Sequence, residues 1–355
     1  MINKPASARI TFFAALIASH ALSGCSGDDG DGTGASGDPQ AATSGASVSG
    51  SGGGTTTGGS TTTGDSSAST SGVGGEGGMS GGGGSPGTGG EGGSMDGKVP
   101  PEPSAGCNKA NPQTGSAQSP LTVSGHQYYV KLPTGYDASK PYPVMIMFNP
   151  TGNPISWAEQ NAGFEVTGPK EAWIRVYPHP ANSNSGWGAG DVSFFQPFYD
   201  QITDNFCIDK ARVFAAGESS GGDFSSILGC EHADKLRAVG PCATKNVPQY
   251  PLNAGTRDCT GQVTSVVIHG ERDSVVGTEN GPKTRDFYTA LNHCGASTTP
   301  VEGYTDNLSN CVMYQDCDEG YPVYWCEHGD PNYSNTNHGW PGFAPKFLWS
   351  LFSTY

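Results

Sequence analysis

An α/β fold is the architecture this sequence predicts, with a mostly parallel central sheet, helices on both faces and a disordered linker ahead of it. Three observations carry it. Short continuous apolar runs at residues 144–148, 173–177 and 213–216 have the length and composition of strands buried on both faces. Segments able to form helices alternate with them, the order of βαβ units. The third run continues through Gly217-Glu-Ser219-Ser-Gly221 into Asp223-Phe-Ser-Ser-Ile-Leu228, so a strand meets a sharp turn and then a helix.

Taken in order, the chain opens with Lys4 and Arg9, followed by an apolar run over residues 10–22, the pattern of a secretory signal too short to span a membrane stably. Leu22-Ser23-Gly24-Cys25 resembles a bacterial lipobox, which implies cleavage before Cys25 and acylation of that residue; the alternative is an ordinary signal peptide with an incidental Cys. Two or three acyl chains, at about 0.8 kcal/mol per buried CH₂, make a lasting anchor. Residues 26–104 are mostly Gly, Ser, Thr, Ala and Asp, without an aromatic residue. Such a stretch cannot bury enough apolar surface to offset its conformational entropy, so residues 25–104 read as a disordered tether and 105–355 as the folded domain.

Within that domain, residues 126–132 alternate and are aromatic-rich, as in an antiparallel strand. Strands follow at 144–148 and 173–177, a helix at 193–202, the strand and helix around Ser219, strands at 238–242 and 264–269, and a helix end at 287–293. A last strand at 323–327 and a closing helix at 343–352 complete the set. With Cys25 set aside, nine cysteines remain. Outside the cytoplasm most should pair, and the odd count leaves a free thiol. The absence of Cys-x-x-Cys argues against structural zinc. A formal net charge of −15 without a basic stripe argues against nucleic acid as a partner.

The chemistry concentrates at Ser219. Strand, Gly-x-Ser-x-Gly and helix in succession form the nucleophile elbow of an α/β-hydrolase, in which the serine stands in strained backbone and flanking glycines permit close approach. A serine nucleophile needs a base and an acid to orient it, which follow in the order Ser, Asp or Glu, His. Asp273, in the loop after the strand ending near Gly270, is placed as the acid, against the alternative of a solvated loop carboxylate. His338, in a Gly/Asn/Pro loop before the closing helix, is preferred as base over His328, which directly follows a strand and could cap it. An oxyanion hole requires backbone N–H donors. Ser220, after the nucleophile, supplies one, and Thr151 in the loop after 144–148 supplies the other, since Pro150 has no N–H. Among aromatic residues near these loops (Trp157, Trp187, Phe194, Phe195, Tyr333 and Trp340), Trp187 and Trp340 are the candidates to line a substrate cleft. No metal or organic cofactor is called for.

Ser-Ala-Gly-Cys107, Leu-Pro-Thr-Gly-Tyr136-Asp, Lys-Pro-Tyr-Pro143, Gly-Glu-Ser219-Ser-Gly-Gly, His-Gly-Glu-Arg-Asp273 and His338-Gly-Trp-Pro together resemble the secreted carbohydrate esterases: feruloyl esterases, acetylxylan esterases and polyhydroxybutyrate depolymerases. The resemblance spans residues 104–355. It implies hydrolysis of carboxylic esters by Ser219, Asp273 and His338, on plant cell-wall polysaccharide (feruloyl or acetyl) or on a polyester, at the cell envelope or outside it, with membrane contact only through the N-terminal lipid. Two positions depart from the family pattern: Asn149-Pro150 stands where His-Gly is usual, and Thr336-Asn337 where Gly-Gly precedes the base. A non-catalytic binding module on the same fold is the contrasting possibility.

Overall fold

A computed structural model describes residues 99–245, 259–305, 309–330 and 336–355. The expected signal peptide, Cys25, residues 25–98 of the expected tether and Tyr333 lie outside the described residues. All described residues belong to one unit, within Ser85–Tyr355.

The strands are β1 (Leu121–Val123), β2 (His126–Lys131), β3 (Tyr142–Phe148), β4 (Ile174–His179), β5 (Ile208–Glu218), β6 (Ala238–Cys242), β7 (Thr264–Gly270), β8 (Thr298–Thr305), β9 (Ser309–Tyr314) and β10 (Val323–His328). The helices are α1 (Trp157–Asn161), α2 (Pro169–Ala172), α3 (Val192–Asn205), α4 (Ser220–Glu231), α5 (Asn280–Leu291) and α6 (Ala344–Phe352). The strands form one sheet in the order β1-β2-β4-β3-β5-β6-β7-β10-β9-β8. From β4 to β10 neighbours run parallel, and antiparallel strands flank this centre on both sides. This is an α/β-hydrolase fold, with the carboxyl ends of the parallel strands facing one rim.

The apolar runs are continuous because side chains alternate between two buried faces. Val144, Ile146 and Phe148 of β3 pack with Val213 and Ala215 beneath Phe194, Phe195 and Phe198 of α3, Phe224 and Leu228 of α4 and Tyr288 of α5. Met145 and Met147 point the other way, with Phe214, Ala216, Val266 and Ile268, against Phe347, Leu348 and Phe352 of α6. Strands β1, β8 and β9 are additions to the elements expected from the sequence. Most of β8 is exposed, so it carries no apolar alternation, and Pro300 within it is tolerated at the sheet edge.

Residues 99–104, which composition assigns to the tether, are held against β5. Lys210 N–H donates to the Glu102 carbonyl at 2.8 Å, and Ser104 Oγ donates to the Phe206 carbonyl at 2.7 Å while accepting from Ile208 N–H at 2.9 Å. Backbone pairing of this kind needs no hydrophobic pattern, so the folded unit takes in the end of the expected tether. Next to it Gly106 lies so close to Phe206 that a Cβ would overlap its backbone, and Cys107 bonds to Cys207.

The other disulfides among the described residues are Cys230–Cys259, Cys294–Cys317 and Cys311–Cys326. The last joins a registered pair across β9 and β10. Cys242, at the end of β6, is a buried free thiol. Burial, reinforced by the Glu218 and Asp273 charges, raises its pKa well above the usual thiol range, so it stays protonated and unreactive. Iodoacetamide should therefore leave Cys242 untouched in the native protein and alkylate it after denaturation without reductant, with the eight paired cysteines unlabelled. Peptide mapping that finds Cys242 in a disulfide would contradict this arrangement.

Candidate active site

Ser219 follows β5 and caps α4 with φ +55° and ψ −122°, a conformation costly for any residue with a side chain, on the order of 1–3 kcal/mol. The neighbouring backbone leaves no other path. A Cβ at Gly217 would overlap Gly221, one at Gly221 would overlap the Phe148 carbonyl, and one at Gly222 would overlap the Cys242 carbonyl. The turn is pinned by Ser219 N–H donating to Cys242 O at 3.0 Å and by Asp223 N–H donating to Ser219 O at 2.8 Å. Ser219 itself is half-buried.

The acid and base loops interlock at the exit of β7. Gly270 ends that strand, and a Cβ there would overlap the Asn337 carbonyl. Ser274 N–H donates to Thr336 O at 3.1 Å, Arg272 N–H to Asn337 Oδ1 at 3.3 Å, and Asn337 Nδ2 to Asp330 O at 3.1 Å. Asn337 has φ +57°, a region Asn tolerates better than most residues. This accounts for Asn337 at a position where the family pattern has glycine.

These loops bring His338 Nδ1 to 2.8 Å from Asp273 Oδ2. Asp273 is 2 % exposed, and its Oδ1 accepts from the Val275 and Val276 N–H groups at 2.9 and 3.1 Å. Burial alone would raise the carboxyl pKa. Hydrogen bonds from His338, Val276 and Val275, with the His338 charge, outweigh that and hold it below the usual carboxylate range. Asp273 is thus an anion aimed at one imidazole nitrogen.

Cys242 links this pair to the elbow. Its carbonyl accepts from Ser219 N–H, and its Sγ donates to the carbonyl of Gly339, the residue after His338, at 3.1 Å. The rival base lies elsewhere in the local order. His328 ends β10 at 1 % exposure, and burial, outweighing the nearby Asp330 and Asp273 charges, pushes its pKa down to about 4. His269, likewise buried, is driven below its ordinary value and has Nε2 3.1 Å from Gly277 O and 3.8 Å from Asp273 Oδ2.

Thr151 follows β3, and its Oγ1 donates to Ser220 Oγ at 2.9 Å. Ser220 is the first residue of α4, so its N–H is among those with no intrahelical acceptor. The expected cleft walls are a correction. Trp187 and Trp340 are each 3 % exposed and sit in the core. Trp187 stacks on Phe224, edge-on to Phe148, and Trp340 donates through Nε1 to the Ala162 carbonyl at 3.2 Å, beside Phe164. Nearness in sequence to the site loops suggests a place at the cleft, but their apolar area is used in packing. Sequence reasoning misses Cys242, Gly270 and Asn337 as supports of the site. Of these, only the glycine at a strand end carries a legible signal.

No family model matches the chain. Feruloyl esterase D of Neurospora crassa is 32% identical over 270 residues, covering 71% of this chain and 91% of that protein. Feruloyl esterase C of Emericella nidulans is 28% identical over 204 residues, covering 54% and 70%. A probable feruloyl esterase C of Aspergillus terreus is 26% identical over 257 residues, covering 70% and 91%.

The buried imidazole of His328 makes stability pH-dependent. Between its folded pKa of about 4 and its ordinary 6.5 the unfolded chain holds a proton that the folded chain does not, so stability falls as pH drops through that window, by about 3 kcal/mol from this group. Melting temperature should decline from pH 7 to pH 4, and His328→Leu should flatten the decline. A variant that melts with the wild-type pH profile would show that another group sets it.

Proposed function

Because the chain belongs to the feruloyl esterase family and is a carboxylic ester hydrolase, we propose that it is a serine esterase acting on feruloyl or acetyl esters of plant cell-wall polysaccharide through an acyl-enzyme. One observation carries the assignment of its residues: a buried, anionic Asp273 accepts a hydrogen bond from His338 Nδ1, and Cys242 bonds both to Ser219 N–H and to the carbonyl of the residue after His338. Donation from Nδ1 puts the lone pair on Nε2, the tautomer a general base requires.

In this reading His338 Nε2 takes the proton of Ser219 Oγ as the oxygen attacks the ester carbonyl. The tetrahedral oxyanion receives the Thr151 and Ser220 N–H groups. Collapse expels the alcohol, which takes its proton from His338. Water, deprotonated by the same imidazole, then attacks the acyl-enzyme and releases the acid. Asp273 stays ionised throughout and steadies the imidazolium.

The four disulfides among the described residues fit an extracellular setting. We place the mature chain at the cell envelope, with Cys25 as the lipidated residue, residues 25–98 as a tether and the esterase domain facing outward. A tether of this length in a Gly-rich coil reaches on the order of 50 Å.

Ser219→Ala should lower kcat on p-nitrophenyl acetate by roughly 10⁶ with the fold intact, and Asp273→Asn by roughly 10⁴. A Ser219→Ala protein that still turns over, or a wild type that a fluorophosphonate fails to label, would overturn the assignment. Methyl ferulate and acetylated xylan should be hydrolysed in preference to hydroxybutyrate oligomers, and the reverse preference would mark a polyester depolymerase. Cys25→Ser should move the protein from the membrane fraction to the soluble one, and an unchanged distribution would remove the lipid anchor from this account.

A further inference from the structure

An oxyanion hole works only while its donors stay within about 2.7–3.1 Å of the position the charged oxygen will occupy. Here the two assigned donors belong to elements far apart in the chain. Thr151 is on the loop leaving β3, and Ser220 begins α4. The loop also carries Asn149-Pro150, where Pro150 can donate no hydrogen bond and confines the residue before it. Something must hold the loop in register with the helix. The Thr151 Oγ1 to Ser220 Oγ hydrogen bond at 2.9 Å joins the two donor residues directly, side chain to side chain.

A third segment closes over that pair. The turn between β4 and α3 sets Gly186, at φ +69°, against the two hydroxyls, where a Cβ would overlap Thr151 Oγ1 and crowd Ser220 Oγ. The same turn holds the loop from its other side, since Gly152 N–H donates to Ser183 O at 2.7 Å. Gly186 N–H in turn donates to Asn182 O at 3.1 Å, which fixes the turn's shape. Within the loop, Asn153 Nδ2 donates to Thr151 O at 3.0 Å, and Asn149 Nδ2 to Asn153 O at 3.3 Å.

We propose that Thr151 is a positioning residue: its hydroxyl, clasped to Ser220 Oγ beneath Gly186, sets the spacing of the two oxyanion donors. The inference rests on Ser219 as nucleophile and on the Thr151 and Ser220 N–H groups as those donors. The clasp makes no bond to substrate and contributes nothing to binding the neutral ester. It acts where the carbonyl oxygen becomes an anion, so its loss lowers kcat and leaves KM in place.

The test is a set of variants that keep both backbone N–H groups. Thr151→Val removes the donor and keeps the branched shape. Ser220→Ala removes the acceptor. Each should lower kcat on p-nitrophenyl acetate roughly tenfold, with KM within about twofold and an unchanged melting temperature. Thr151→Ser should restore kcat. Since both single changes break one bond, the double variant should be no slower than the slower single variant. Gly186→Ala should reproduce the kcat loss by parting the hydroxyls. Wild-type kcat in Thr151→Val and Ser220→Ala overturns the inference, as does a loss expressed in KM, or a Thr151→Ser variant as impaired as Thr151→Val. Ser219→Ala measured alongside separates the two levels: if it abolishes turnover while Thr151→Val is unaffected, the clasp falls and the serine mechanism stands. If it retains turnover, the serine mechanism falls first.

Discussion

The structure depends on how closely the turn out of β5 approaches the backbone on either side of it. Gly217 and Gly221 lie against the Phe148 carbonyl at the end of β3, and Gly222 against the Cys242 carbonyl at the end of β6. Any side chain at these positions would force the strands apart, and side chains on both faces of those strands are core. Close approach therefore confines the turn, and the confined turn puts Ser219 at positive φ. The cost of that conformation is offset by the packing of β3, β5 and β6 around it. The same geometry sets the first N–H of α4 beside the loop leaving β3.

Electrostatics sort the histidines around Asp273. The carboxylate is buried, yet two backbone N–H groups and one imidazole satisfy it, so ionisation is the favoured state. His269 and His328 lie near the same charge. Burial dominates their titration, and both are held toward the neutral form. Of the three, His338 has the short hydrogen bond to that carboxylate. Position relative to a strand end distinguishes His338 from His328 only weakly, whereas desolvation separates them by environment.

The far edge of the sheet is held by covalent links. Strand β8 is largely exposed and has little apolar surface to contribute. Cys311–Cys326 ties β9 to β10 in register, and Cys294–Cys317 secures the segment between α5 and the end of β9. Closing a loop in the unfolded chain by such links stabilises a region whose hydrophobic burial is modest. At the opposite side Cys107–Cys207 and the Ser104 hydroxyl fasten the start of the folded unit to β5. The Ser-Ala-Gly-Cys107 motif is thereby explained as a clamp rather than as chemistry.

What the amino-acid sequence determined by itself was whatever depends on near neighbours in the chain. The apolar runs of β3, β4 and β5, the glycines about Ser219 and the order of strand, turn and helix follow from local sterics and side-chain period, and they were enough for the fold class. The tertiary structure alone decided what depends on segments far apart. Cysteine pairing, the meeting of His338 with Asp273, the hydroxyl contact of Thr151 with Ser220 and the withdrawal of Trp187 and Trp340 into the core each join residues from separate elements. The physical reason is that burial and hydrogen bonding are properties of the assembled interior, where a residue's partners are chosen by packing and not by its place in the chain.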